Sequence, residues 1–175
     1  MRRILIARSI GPEGEFHLHG MREPGSPWKT RQLGHLNTGN NLWFQGLVST
    51  LLTPENHVEF LTDEMSVAYI NDHFDAVIRP HANVFGPRFV RIMEDHVRTW
   101  KGLKVPMYTV ACGAQTDSYD ALDELAETIR TRACRFMDSV YATGGEFALR
   151  GYFTKAFFDR MGYHTAEVTG CPSLY

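Results

Sequence analysis

No apolar run in this sequence approaches the roughly 18–20 residues that a membrane span requires. The opening "MRRILIARSI" is basic and then apolar for only a few residues before Arg8 interrupts, too short for the apolar region of a signal peptide. An excess of one charge is also missing. With 18 basic and 20 acidic residues the net charge is −2, too small to draw nucleic acid or an anionic surface to the whole molecule. Cysteine is scarce: Cys112, Cys134 and Cys171 stand at wide, irregular spacing that matches neither a disulfide framework nor a Cys-x-x-Cys zinc site. A reducing cytoplasm is the simplest setting for such a chain. Of eight histidines only His17 and His19 lie close together, and such a pair in a loop is more often solvated surface than a metal site. There is no Gly-Lys-Ser/Thr phosphate loop and no Gly-x-Gly-x-x-Gly fingerprint. Neither a metal nor a cofactor is implied, and no internal repeat or low-complexity tract is present.

What remains is an ordinary globular composition, 43% apolar and 22% charged over 175 residues, enough for one domain spanning 1–175. "ILIA" at 4–7 is a short apolar run of the buried-strand kind. Residues 11–35 begin with "GPEGEFHLHGMREPGSPW", dense in Gly and Pro and without period, and form a long loop. Phe44, Leu47, Val48 and Leu51 then recur at helical spacing until Pro54. "VEFLT" (58–62), "DAVIR" (75–79), "KVPMYTVA" (104–111), "EFALR" (146–150) and "AEV" (166–168) read as further strands. Helices fall between them. One carries Pro87 in its first turn and Phe89, Met93, Val97 and Trp100 on one stripe. A second, over 120–137, carries Leu122, Leu125, Ile129, Ala133 and Phe136, and a third has Phe153, Phe157 and Met161 before a left-handed cap at Gly162. Apolar strands alternating with helices predict an α/β fold, a Rossmann-like parallel sheet with helices on both faces. Ligands of such sheets sit beyond the carboxyl ends of the strands.

The loops at those ends carry the chemistry. "LNTGNNLWF" (36–44) runs into a helix, where Asn37, Gly39, Asn40 and Asn41 offer backbone N–H groups to an anion or a sugar hydroxyl, or supply no more than an N-cap. "VIRPHANVFG" (77–86) sets Arg79, a planar fork for carboxylate or phosphate, beside His81 and Asn83. "VACGAQ" (110–115) places Cys112 directly after a strand. The flanking residues do not make a nucleophile elbow, so Cys112 reads as a small buried hydrophobe and Gln115 as the ligand contact. "ALRGYFT" (148–154) brings Arg150 to a strand end, before a helix that Thr154 could cap. "TGCPSL" (169–174) turns at Gly170 and Pro172 and leaves Ser173 at a helix-capping position.

In this order, "NTGNN", "VIRPHANVF", "VPMYTVACGAQ", "LRGYFTKAFFDRMGY" and "VTGCPSLY" resemble the polysaccharide pyruvyl transferase family over most of 36–175. The resemblance implies the N-terminal domain of a two-domain transferase of the GT-B type, ending at the crossover to a second domain that this sequence lacks. It implies transfer of a pyruvyl group from phosphoenolpyruvate to a sugar hydroxyl of a cell-surface glycan or exopolysaccharide precursor, in the cytoplasm. Phosphoenolpyruvate would then be held chiefly by the missing half, and an isolated half would be inactive. The substrate-binding residues it points to are Asn37, Gly39, Asn40, Asn41, Arg79, His81, Gln115, Arg150 and Ser173, with His81 the one candidate for acid/base work. Asn41 departs from the acidic residue that many relatives carry after Gly-Asn, which speaks against a general base in that loop. Three alternatives stay open: a non-catalytic sugar- or anion-binding module, an assembly subunit or homo-oligomer, and a small hydrolase using Cys112.

Overall fold

The computed structural model describes residues 1–7 and 46–172. The long loop 11–35, the glycine-polar loop at 36–44 and Ser173 lie outside the described residues. The strands are β1 (Arg2–Ile6), β2 (Asn56–Phe60), β3 (Ala76–Pro80), β4 (Asn83–Phe85), β5 (Met107–Ala114), β6 (Phe147–Leu149) and β7 (Glu167–Val168). The helices are α1 (Val67–His73), α2 (Val90–Thr99), α3 (Leu122–Tyr141) and α4 (Tyr152–Met161), with a further helical stretch at 46–51. The sheet runs β2-β1-β3-β5-β6-β7, with β4 off this path against the end of β5. Every described pairing is parallel. This is an α/β sheet of Rossmann-like kind.

Strand order decides where the helices go. Parallel crossovers are almost always right-handed. The connections β2 to β3, β3 to β5, β5 to β6 and β6 to β7 all step the same way across the sheet, so α1 to α4 share one face. The step from β1 back to β2 runs the other way and sends 46–51 to the opposite face. The core divides accordingly. Leu5, Val77, Met107 and Phe147 join Ile70, Met93, Ile129, Phe136 and Phe157 in a large cluster. Ile4, Ile6, Ile78 and Ala111 meet Leu47 and Val48 in a small one.

The alternation of β1 is clean, Ile4 and Ile6 on one face and Leu5 on the other, as the strand period of two requires. In β5 it breaks. Val110 and Ala111 both turn to the small cluster, Cys112 turns to the large one, and the register against β6 shifts between Thr109 and Cys112. This is a bulge, and Ala111 sits in it at φ 60, a left-handed conformation that costs a non-glycine residue on the order of 1 kcal/mol. Phe85 of β4 is fully buried and meets Phe136 at 5.6 Å, Phe157 at 5.3 Å and Phe158 at 5.1 Å between ring centroids. The short strand is thus tied to α3 and α4.

Several expectations need correction. β4 was expected to be loop; three residues are too few to display a period, and the pairing of Asn83 with Gly113 defines it. The fourth residue from the end of "VACGAQ" is still strand, since β5 continues through Cys112 and Gly113 to Ala114. The seven-residue α1 was not anticipated, although Ser66 marks its start by accepting from the Tyr69 N–H at 3.1 Å. A 3-10 turn at Pro87–Phe89 precedes α2, and α3 extends to Tyr141. Thr154 does not cap α4: it is buried in the first turn and accepts from the Ala114 N–H at 3.0 Å. Gly162 does close α4 in the left-handed region, φ 91.

Gly145, just before β6, has a different role. A Cβ there would stand 1.8 Å from the Met107 carbonyl oxygen. Gly145→Ala is expected to cost about 2 kcal/mol by forcing β5 and β6 apart, read as a lowered urea midpoint; an unchanged midpoint would count against the close approach.

Candidate functional site

The chain leaves β1 toward β2 and leaves β3 in the other direction, which puts a topological switch point at the carboxyl ends of β1 and β3. Arg79 and His81 stand at that end of β3. The Arg79 Nε donates to His81 Nε2 at 3.1 Å, and its guanidinium lies over the Trp100 ring at 5.6 Å. Arg79 therefore lies in the layer between β3 and α2. Among the described residues it has no carboxylate partner, and burial lowers its pKa to about 10; it stays charged at neutral pH.

Both neighbouring histidines stay neutral. Burial first, and the Arg79 charge second, bring His81 down to about 3. Burial, Arg79 and then His81 bring His96 down to about 2. Because His81 Nε2 accepts from Arg79, its ring carries the proton on Nδ1. His96 meets Phe136 at 4.4 Å and His81 at 6.2 Å between ring centroids. Among the described residues, the buried His96 Nδ1 and Trp100 Nε1 have no hydrogen-bond partner. His96 escaped notice in the sequence, yet it stands three residues after Met93 and four before Trp100, on the stripe already assigned to the core.

Cys112 is fully buried. Burial pushes its thiol up to about 12, outweighing the Thr109 hydroxyl and the guanidinium groups of Arg150 and Arg79. A thiol so held is no nucleophile at neutral pH.

A second group forms beside it. Arg150 Nη2 donates to Asn83 Oδ1 in a close contact, which joins the end of β6 to β4 across β5. Gly113 makes room for that contact: a Cβ there would come within 2.8 Å of both Arg150 Nη2 and Asn83 Oδ1. The Arg150 N–H is fixed by the Cys112 carbonyl at 2.9 Å. Arg150 then borders a hollow of about 360 Å³ with Thr116, Asp117, Tyr119, Gly151 and Phe153. Gly151 gives α4 no side-chain cap, so this helix start adds open N–H donors to the rim. A hollow of about 500 Å³ lies at the opposite, amino edge, among Met1, Arg2, Thr53 and Glu55, away from the edge where parallel sheets bind ligands.

Of the residues singled out in the sequence, the structure joins Arg79 to His81 and sets Arg150 against Asn83 and Gly113. Gln115 is exposed; its N–H bonds the Phe85 carbonyl at 2.9 Å. Gly170 turns at φ 86 with its N–H on the Leu149 carbonyl at 3.2 Å. Asn37, Gly39, Asn40, Asn41 and Ser173 lie outside the described residues. Among the described residues, no three His, Cys, Asp or Glu side chains gather to hold a metal ion, and no helix is long and apolar enough to cross a membrane. No protein-family model, curated protein or solved structure matches the chain.

Proposed function

We propose that the chain is the N-terminal, acceptor-side half of a polysaccharide pyruvyl transferase of the GT-B type, passing a pyruvyl group from phosphoenolpyruvate to a glycan hydroxyl. One observation carries this reading. The segments "VIRPHANVF", "VACGAQ" and "LRGYFT", which bear the resemblance, lie side by side at the carboxyl edge and are joined through Asn83, Gly113 and Arg150. Pyruvyl transfer protonates the enol carbon, adds a sugar hydroxyl to the oxocarbenium-like centre and releases phosphate. It therefore asks for guanidinium groups toward carboxylate and phosphate and for a proton donor. Arg150 stands at the open edge on the acceptor side, and the carboxylate and phosphate are held chiefly by the second half. His81, neutral and bound to Arg79, orients that arginine and does not supply the proton, which falls to the second half.

A non-catalytic sugar- or anion-binding module is the second reading. It is favoured by the burial of His81, His96 and Cys112, none of which exchanges a proton near neutral pH. The two are separated by mixing the chain with a C-terminal half of the family, phosphoenolpyruvate and a glycan acceptor. Acceptor-dependent phosphate release supports the transferase. Glycan binding without release in any combination supports the module.

A further inference from the structure

The hollow beside α4 combines features that neither the sheet nor the arginine contact with Asn83 requires. Tyr119, which lines the hollow, is 81% exposed. The Tyr119 ring meets Phe153 edge-on at 4.9 Å, which props it upright at the rim. The loop below is braced by itself. Thr116 Oγ1 accepts the Ser118 N–H at 2.9 Å, and Ser118 Oγ accepts the Asp120 N–H at 3.2 Å. Those hydroxyls are engaged, whereas the Asp117 carboxylate between them has no partner among the described residues.

Asp117 and Arg150 thus border one hollow without pairing, Arg150 being held by Asn83. A lone anion would meet the charge of Asp117, and a lone cation that of Arg150. A neutral ligand rich in hydroxyls uses both, donating to the carboxylate and accepting from the guanidinium. The aromatic rim suits the apolar face of a sugar ring, since tyrosine presents a large flat surface at little cost in conformational entropy. The volume of about 360 Å³ is at the small end of ligand sites, which run from roughly 300 to 1,000 Å³.

We propose that this hollow is a carbohydrate subsite for a pyranose unit, with Tyr119 as the stacking face and Asp117 and Arg150 as hydroxyl partners. In naming the occupant as part of the acceptor glycan it rests on the acceptor-side reading above. The test uses the whole chain alone, with methyl glucopyranoside, galactopyranoside and mannopyranoside as probes in saturation-transfer NMR. At least one probe is expected to show saturated ring protons. The signal should fall about fivefold in Tyr119→Ala and survive in Tyr119→Phe, and fall again in Asp117→Asn. Inorganic phosphate should leave it unchanged. No saturation of any pyranoside, an equal signal in Tyr119→Ala, or displacement by phosphate overturns the subsite, the last by making it an anion site. Neither phosphoenolpyruvate nor a second half is needed, so a failed transfer assay beside intact saturation sinks the transferase and leaves the subsite standing.

Discussion

Between pH 7 and pH 5 the folded state is expected to lose about 4 kcal/mol, nearly half from His81 and nearly half from His96. Both imidazoles are buried, and their folded pKa values, about 3 and about 2, lie below the ordinary 6.5. The sign follows from proton uptake. Above the unfolded pKa neither state binds the protons, and the histidines leave stability independent of pH. As pH falls below it, the unfolded chain takes up two protons that the folded chain refuses, so stability is lost progressively toward the folded values. Urea titrations at the two pH values measure the loss. His96→Phe, which keeps a ring beside Phe136 and removes one titrating group, should roughly halve it. A urea midpoint that does not move between pH 7 and pH 5 would contradict the neutral, buried pair.

Under the transferase reading, Arg150→Ala is expected to lower the phosphoenolpyruvate-dependent transfer of the reconstituted protein about 100-fold, the usual scale for deleting one preorganised donor. The substitution removes the guanidinium at the hollow and also leaves Asn83 Oδ1 without its donor. Arg150→Lys should not restore the rate, because a single ammonium cannot hold Asn83 and face the hollow with a planar fork. Steady-state kinetics with a fixed glycan acceptor decide it. A loss of less than about twofold in Arg150→Ala would remove this residue from the site.

All the strands but β4 were readable because they are short, apolar and bounded by turns, and the stripes on α2, α3 and α4 because three-to-four spacing survives in the sequence. Bulges leave no such trace. Nothing in "TVACG" announces that Val110 and Ala111 face the same way, and that shift puts Cys112 under the helices. Arg79 and His81 were legible as a pair two residues apart at a strand end, which the strand period places on one face. Their depth was not, because it depends on α2 laying His96 and Trp100 over them. Arg150 and Gly113 were each visible as strand-end residues, but their meeting with Asn83 depends on β4 pairing with β5, a long-range event. The hollow was missed for the same reason: Asp117 sits in a loop and Tyr119 opens a three-residue 3-10 turn, neither long enough to show a period, and only the start of α4 gives them an opposite wall.

Ligands are proposed to meet this protein at the carboxyl edge of β5 and β6. Amide chemical-shift mapping of the labelled chain with a methyl pyranoside tests it. Residues 114–119 and 150–154 are expected to move while the amino-edge hollow at Arg2, Thr53 and Glu55 stays still. Shifts gathered at that amino edge, or none at all, would contradict it.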